Sequence, residues 1–271
     1  MQMQHPSAHK ARKRFGQNFL VDNHIIDRII ASIRPARDDA MVEIGPGLGA
    51  LTRPLCAKLG QLDVIELDRD LIQRLEHAHY AGCTLNIHNA DALDFDFTAL
   101  HAQTGGGKKL RVAGNLPYNI STPLLFHLIE HRDVVGDMHF MLQKEVVERI
   151  AAQPGTRSYG RLSVMVQFYC TVEPLFTVPS SAFRPAPKVE SAIIRLVPAR
   201  FPGADTLDHA LLETLVRRAF SQRRKTLRNT LKDFCSVEEM QQAGIHPQQR
   251  PEELAVSDFV NLLRRIESRT A

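Results

Sequence analysis

The segment GNLPYNIS, residues 114–121, places an amide, an aliphatic residue, a proline and a phenol directly after the apolar stretch KLRVA. The side-chain oxygen of Asn115 and the peptide oxygen of Leu116 are hydrogen-bond acceptors, and Tyr118 supplies an aromatic ring. Pro117 fixes its own φ and keeps Leu116 extended, which holds the acceptors in place. Because ligands in open α/β sheets bind where strands end, this tetrapeptide predicts a rigid site for a planar ligand.

A second group of residues has the types that bind a nucleotide-like cofactor. The stretch VEIGPGLGALT places Gly45, Gly47 and Gly49 between a predicted strand and a predicted helix, where the backbone can pass close to a ligand. Nicotinamide-binding turns read G-x-G-x-x-G, whereas this one reads G-x-G-x-G and resembles the first motif of S-adenosylmethionine-dependent methyltransferases. Glu66 ends the next predicted strand, and Asp91 follows the one after it. We expect Glu66 to accept hydrogen bonds from ribose hydroxyls and Asp91 to accept one from an adenine amine.

The two groups together predict methyl transfer to an adenine N6 amine. That amine is a poor nucleophile because its lone pair is delocalised into the ring. Acceptors on its N–H groups, namely Asn115 Oδ1 and the Leu116 carbonyl, would favour the pyramidal nitrogen and would act most strongly as positive charge develops. Tyr118 would stack on the base. Proximity and orientation supply most of the acceleration, so neither a general base nor a metal is expected.

The elements that must position these residues follow from the alternation of short apolar runs with amphipathic ones, which is typical of a parallel doubly wound sheet. Strands are predicted at 41–45, 62–67, 84–88, 109–115 and 138–143, and two more at 161–178 and 191–197. After a linker at 200–205 the pattern is helical. The sequence therefore predicts an α/β fold, a Rossmann-like class I methyltransferase sheet with helices on both faces, and a small all-α C-terminal domain. The expected division is a catalytic domain at 1–200 and a helical domain at 201–271.

Basic residues are concentrated in two runs of the chain. The 271 residues include 34 Lys and Arg against 30 Asp and Glu, a net charge of +4, so the overall excess is small. Residues 1–21 and 217–232 nevertheless contain no acid, and such runs indicate contacts with nucleic acid phosphates. The predicted RNA-contacting residues are Arg12, Lys13, Arg14, Arg223, Arg224, Lys225 and Arg228.

Cysteine spacing and hydropathy indicate whether the chain binds metal, forms disulfides or enters a membrane. The four cysteines are far apart, with no CxxC pair and no histidine at ligand spacing, so reduced thiols are expected and a metal site is not. No apolar leader opens the chain, and no apolar run approaches the roughly 18 residues of a membrane span. A cytoplasmic protein is expected, and a monomer is the default.

Four stretches together carry a resemblance to a known family: NLPY, EIGPGLGALT, the N-terminal RKRFGQNFLVD, and FRPAPKVESAIIRL at 183–196. They resemble the ribosomal RNA adenine N6,N6-dimethyltransferases, the kasugamycin-sensitivity methylases of bacteria, over about residues 10–235. The resemblance implies S-adenosylmethionine as cofactor and two methyl transfers onto each of two adjacent adenosines near the 3′ end of small-subunit (16S) ribosomal RNA. It also implies a partly assembled small subunit as partner, and hence a part in ribosome biogenesis.

The resemblance also implies roles for individual residues. The residues implied to bind the cofactor are Asn18, Leu20, Gly45, Gly47, Glu66, Asp91 and Asn115. Asn18 and Leu20 would cover it, and Asn115 would lie where it meets the target base. Phe183 would stack on the target base opposite Tyr118, because an extruded base loses stacking that aromatic rings can replace.

Other functions remain open at this point. A DNA adenine methylase would share the acceptor pair, and the erythromycin-resistance methylases act on large-subunit RNA. An RNA-binding assembly factor without catalysis has no need for Glu66, Asp91, Asn115 and Tyr118 together. A nicotinamide dehydrogenase is the weakest alternative, because the glycine spacing differs from its fingerprint.

Overall fold

The computed structural model describes residues 17–204, 206–222 and 224–269, and its strands and helices alternate along the chain from β1 to α6. The strands are β1 Phe19–Leu20, β2 Met41–Ile44, β3 Gln61–Glu66, β4 Thr84–Asn89, β5 Leu110–Asn115, β6 Val135–Gln143, β7 Cys170–Val178, β8 Phe183–Arg184 and β9 Ser191–Pro198. The helices are α1 Asn23–Ile33, α2 Thr52–Cys56, α3 Arg69–Glu76, α4 Phe97–Gln103, α5 Ser121–Glu130, α6 Lys144–Ile150, α7 Arg161–Tyr169, α8 His209–Ala219, α9 Leu227–Thr230, α10 Val237–Gln242 and α11 Val256–Ser268.

Seven of these strands form one sheet, in the order β4-β3-β2-β5-β6-β9-β7. The pairs that join β2 through β6 are parallel, so the carboxyl ends of β2, β3, β4 and β5 lie at one edge. The order of strands reverses beside β2, and in open α/β sheets a ligand binds at such a switch point. The α/β class predicted from the sequence is confirmed.

Burial along β2 shows that the sheet is covered on both faces. All four residues, Met41 through Ile44, are buried. Because successive side chains of a strand point to opposite faces, helices or loops must cover β2 on both sides. One such cover is α1, whose five isoleucines are buried and whose first turn is capped by the Asp22 side chain.

One predicted strand is wrong in its first half. The pattern predicts an extended chain over residues 161–178, but residues 161–169 form α7 and only Cys170–Val178 forms a strand. The Gly160 N–H donates to Ser163 Oγ at 3.0 Å and so caps the helix. Most of α7 is buried, including Ser163 to Val166, and a run that is apolar on every side has no periodicity that separates helix from strand.

The chain divides into two compact units, each described by itself. The first contains residues 1–144 and 175–194, and the second contains residues 145–174 and 195–271, as far as these ranges are described. In the second unit α7, α8 and α11 contact one another, and α10 packs on α11. The division of function at residue 200 stays a prediction.

Candidate active site

The glycine turn after β2 has the backbone shape that only glycine adopts readily. Gly45 and Gly47 have φ of +67° and +58°. A Cβ at Gly47 would lie 3.3 Å from the Phe19 ring, so a side chain there would crowd the segment that crosses the turn. The Gly45 N–H donates to Ile65 O at 2.9 Å, which joins the turn to β3. Because its glycines carry no side chains, the turn leaves space directly outside the strand ends.

That space is a cavity of about 310 Å³ at the carboxyl ends of β2 to β5. The predicted residues that line it are Asn18, Gly45, Gly47, Glu66, Asp91, Asn115, Leu116 and Tyr118. A volume of this order is typical of a small-molecule site. The structure thus brings together acceptors that the sequence placed at the ends of separate strands.

Glu66, the last residue of β3, is held by backbone amides. Its Oε1 accepts the N–H groups of Leu67 and Asp68, each at 2.9 Å, and its Oε2 accepts the Gly47 N–H at 3.3 Å. Burial raises the pKa of this carboxyl, and the three amide hydrogen bonds oppose that shift. A carboxylate fixed in this way at the cavity wall retains lone pairs for a pair of hydroxyl donors.

Asp91 follows β4 and is oriented by its own turn. Its Oδ1 accepts the Leu93 N–H at 3.0 Å. Asn89 Nδ2 donates to Glu66 O at 3.1 Å and ties the end of β4 to the end of β3. The two cavity carboxylates, Glu66 and Asp91, are therefore held on adjacent strand ends, where one could bind a ribose and the other an adenine amine.

Asn115 ends β5 with its amide group oriented by the N-terminal segment. Its Nδ2 donates to Asn18 O at 3.0 Å, which orients the amide and leaves Oδ1, its acceptor atom, out of that bond. The next residue, Leu116, is buried, and its N–H donates to Met141 O at 3.3 Å. Ile120 N donates to Pro117 O at 3.2 Å and closes a turn after the proline.

Gly114 is a site residue that the sequence analysis missed. A Cβ at this position would lie 2.5 Å from Ile44 O, a separation that a real side chain cannot occupy. Glycine therefore allows β5 to approach β2 closely just before Asn115. The signal was present in the sequence, because a glycine in the interior of a predicted strand marks close backbone approach.

Tyr118 is held at its backbone and at the far end of its side chain. Ser121 Oγ donates to its backbone carbonyl at 3.1 Å, and its hydroxyl lies 2.7 Å from Ser191 Oγ. Burial raises the pKa of the phenol, and the hydrogen bond with Ser191 opposes the shift. The phenol therefore stays neutral at physiological pH, as a stacking ring requires.

Two predicted residues do not line the cavity. Leu20 and Phe183 pair across the antiparallel strands β1 and β8, and both are buried in the core cluster. Because side chains alternate along a strand, Phe19 lines the cavity and Leu20 faces the core. Phe19 is therefore a further candidate for covering the cofactor, and the role expected of Leu20 stays a prediction. The stacking role of Phe183 stays a prediction, since its ring has no exposed surface in this structure.

Glu43 is a second residue with no role in the sequence analysis. It lies on β2, lines the cavity, and is only 2% exposed. Burial raises its pKa to about 8; the nearby Thr52 hydroxyl opposes the shift, and the charge of Glu66 adds to it. Oε2 of Glu43 has no hydrogen-bond partner within residues 17–204, 206–222 and 224–269. A neutral carboxyl at this position is the form that burial favours.

The predicted phosphate contacts are only partly visible. Arg12, Lys13, Arg14 and Arg223 lie outside the described residues. Arg224, Lys225 and Arg228 are exposed around the start of α9. Arg228 N donates to Pro247 O at 3.0 Å, so its backbone is anchored while its side chain remains exposed.

The sheet order, the glycine turn and the acceptors at successive strand ends define a class I S-adenosylmethionine-dependent methyltransferase. The residues that line the cavity fit that cofactor. The carboxylates of Glu66 and Asp91 suit its ribose and adenine, and the glycines leave space for its amino-acid tail. Residues 8–268 match the ribosomal RNA adenine dimethylase family, and the chain belongs to that family.

Individual relatives agree with this assignment. The chain is 55% identical over 256 residues to the ribosomal RNA small subunit methyltransferase A of Nitrosococcus oceani, which covers 94% of this chain and 96% of the relative. A dimethyladenosine transferase from Plasmodium falciparum superposes with a TM-score of 0.79 at 27% identity, covering 93% of this chain and 98% of that one. The 23S rRNA methyltransferase ErmE superposes with a TM-score of 0.67 at 25% identity, covering 92% and 100%.

Membrane spans and metal clusters are both absent from the described part of the chain. No helix in it is both long and apolar enough to cross a membrane. No group of three or more His, Cys, Asp or Glu side chains in it could hold a metal ion.

Proposed function

We propose that this chain dimethylates the N6 amines of two adjacent adenosines near the 3′ end of small-subunit ribosomal RNA. The observation that carries the proposal is the hydrogen bond from Asn115 Nδ2 to Asn18 O at 3.0 Å, because it holds in one orientation an amide that lines the cavity and whose Oδ1 is an acceptor. The relative from Nitrosococcus oceani, whose name specifies the small subunit, supports that choice of RNA.

Asn115 Oδ1 and the Leu116 carbonyl accept the N–H groups of the target amine. These hydrogen bonds would draw the nitrogen out of conjugation, so that its lone pair could form the new bond to the methyl carbon. The bond from that carbon to the cofactor sulfur would break at the same time, and its electron pair would stay on the sulfur. As the bond forms, positive charge develops on the nitrogen, and both acceptors interact more strongly with it than with the neutral amine. The charged nitrogen then loses its proton to water, and a second transfer to the same nitrogen gives the dimethylated base.

When bound, S-adenosylmethionine supplies a methyl group on a positively charged sulfur. The chain orients it through residues that fit its parts: Glu66 accepts the ribose hydroxyls, Asp91 accepts the adenine amine, and Gly45 and Gly47 admit the amino-acid tail. Phe19 covers the cavity from the N-terminal side. Held in this geometry, the two reactants need little further ordering to react.

The target adenine must leave its stack to reach a cavity at the strand ends. Tyr118 offers one ring face to the extruded base, and Phe183 is assigned the other face. Stacking on aromatic side chains replaces about 1–3 kcal/mol per base. Because the Phe183 ring is fully buried here, its part in this sandwich needs a test of its own.

The RNA partner is assigned from charge. Residues 201–271 are proposed to contact RNA phosphates through Arg223, Arg224, Lys225 and Arg228, and the N-terminal segment through Arg12, Lys13 and Arg14. The proposed substrate is a partly assembled small subunit, on which the chain acts as a monomer during ribosome biogenesis. Ribosome assembly and the free cysteines both favour the cytoplasm.

The decisive experiment supplies labelled S-adenosylmethionine with three substrates: undermethylated small subunits, large-subunit RNA and duplex DNA. We expect dimethyladenosine on two adjacent bases of the small-subunit RNA, and no label when Asn115→Ala replaces the wild-type chain. Label on large-subunit RNA would instead support the activity named for ErmE, which the 25% identity over most of the chain makes the second candidate. Tight subunit binding without label would support an assembly factor.

A further inference from the structure

Ser191, the first residue of β9, has a fully buried side chain. Its hydroxyl lies 2.7 Å from the phenolic oxygen of Tyr118. We propose that Ser191 is a positioning residue for methyl transfer, whose hydrogen bond holds in place the far end of the Tyr118 ring on which the target base stacks. The inference rests on the proposed function, because it uses the stacking role that Tyr118 has there.

The backbone of Tyr118 is already fixed by its turn. Ser121 Oγ donates to the Tyr118 carbonyl at 3.1 Å, and Ile120 N donates to Pro117 O at 3.2 Å. These bonds leave the two side-chain torsions of Tyr118 to be set by its surroundings. A hydrogen bond to the hydroxyl restricts the torsion about the Cα–Cβ bond, because that rotation swings the whole ring and moves the hydroxyl farthest. The hydroxyl lies on the axis of the second torsion, so the bond acts on the ring plane only through the preference of a phenolic O–H to lie in that plane.

Ser191 is suited to act as the fixed partner. Lys144 N donates to the carbonyl of Glu190 at 3.0 Å, and Lys144 Nζ forms an ion pair with Glu190 Oε2 at 2.9 Å. The residue immediately before Ser191 is therefore held by both its backbone and its side chain. In addition, β9 lies between β6 and β7 in the sheet and is not an edge strand.

The residue types also favour this role. A fully buried hydroxyl is costly to desolvate unless it is hydrogen-bonded, and alanine would fill nearly the same volume without that cost. Phenylalanine at position 118 would present a similar ring to a base. Neither stacking nor packing therefore requires the hydroxyls of Tyr118 and Ser191. Their hydrogen bond is explained if its role is to hold the Tyr118 ring in place.

The test compares Ser191→Ala, Tyr118→Phe and the double variant with wild type on undermethylated small subunits. Each single change removes the same hydrogen bond, and we expect kcat to fall about 2- to 10-fold in each, the effect of removing one neutral hydrogen bond. The double variant should be no slower than the slower single variant, because the bond is already absent. Cofactor affinity, measured by calorimetry, should stay within about twofold of wild type, since a ring that orients the target base makes no cofactor contact in this proposal.

Ser163→Ala is the matched control. Ser163 is also fully buried and belongs to α7, where its hydroxyl donates to Arg149 O. Its hydroxyl also accepts the Gly160 N–H, so Ser163→Ala removes two hydrogen bonds. It should lower the melting temperature at least as much as Ser191→Ala does but leave kcat unchanged. A kcat for Ser191→Ala equal to that of wild type, or additive losses in the double variant, would overturn the inference while leaving the proposed function intact. If wild type itself forms no product on small subunits, both fail together.

Discussion

The side-chain amide of Asn115 donates to the backbone carbonyl of Asn18, 3.0 Å away, and joins the end of β5 to the segment that precedes β1. One hydrogen bond thereby orients the proposed acceptor and anchors the segment that carries Phe19 over the cavity. Catalytic geometry and closure of the cofactor cavity are thus coupled through a single side chain.

Substitution of Asn115 tests this coupling. Asn115→Ala removes the acceptor, and we expect single-turnover methyl transfer to slow by about 100-fold or more, the usual effect of deleting one group that stabilises developing charge. Asn115→Asp retains an acceptor but loses the donor to Asn18 O, so cofactor affinity should fall as well as rate. Rapid-quench measurements with labelled cofactor check the rate, and calorimetry checks the affinity. Methyl transfer by Asn115→Ala at the wild-type rate would contradict the proposed mechanism.

Phe19 and Leu20 should respond differently to truncation, since they face opposite sides of β1. Phe19→Ala removes part of the cavity wall, and we expect cofactor affinity to weaken about tenfold with a small change in stability. Leu20→Ala deletes a buried side chain, and the free energy of unfolding should fall by about 2–5 kcal/mol. Calorimetric titration and urea unfolding of both variants separate these effects. The reverse pattern would show that Leu20 covers the cofactor.

The position of the strand ends could be predicted from sequence because each of these strands is a short continuous segment of the chain, and β2, β3 and β5 are rich in apolar residues. Glu66 and Asn115 each end one such strand and Asp91 follows another, and parallel strands bring their carboxyl ends together whatever the connections do. The glycine turn was recognisable for a similar reason, since its three glycines have a fixed spacing within five residues.

The faces of β1 could not be predicted in the same way. This strand has two residues, and its partner β8 lies far away in sequence, so no alternation within it reveals which side chain faces the cavity. The strand prediction for residues 161–169 failed for a different reason, because burial on all sides removes the periodicity that identifies a helix. In both cases the missing information is supplied only by tertiary structure.

Removal of the exposed basic residues should affect RNA affinity through salt dependence. Replacing Arg224, Lys225 and Arg228 with alanine should flatten the plot of log affinity against log salt by about 0.7 for each single-strand phosphate that is no longer neutralised. Filter binding to small subunits over a series of potassium chloride concentrations measures the slope. Lys58→Ala, at an exposed lysine just after α2, is the control and should leave it unchanged. An unchanged slope in the triple variant would remove α9 from the RNA interface.

Phe183 requires a substitution that separates stacking from packing. Phe183→Leu keeps most of the buried apolar volume but has no aromatic face, so the free energy of unfolding should change by less than about 1.5 kcal/mol. If the ring stacks on the target base, kcat should still fall by about fivefold or more. Turnover on small subunits and urea unfolding give the two numbers. A variant with wild-type kcat would assign Phe183 to the core alone.

Glu43 should make stability depend on pH. Its carboxyl ionises in the unfolded chain near its ordinary pKa of 4.5 but in the folded chain only at about 8, because burial disfavours the charge. Between these values the folded state holds a proton that the unfolded state has released, so this group lowers stability progressively as pH rises from about 4.5 to about 8. Glu43→Gln removes the group, and its stability relative to wild type should increase over that interval by up to about 5 kcal/mol and then level off. Urea unfolding of the cofactor-free protein at several pH values measures the difference, with Glu76→Gln, at an exposed glutamate of α3, as the control. If the difference in stability between Glu43→Gln and wild type stays constant from about pH 5 to about pH 9, Glu43 ionises at about the same pH in the folded and unfolded states. The surroundings of Glu43 are then more polar than its burial indicates.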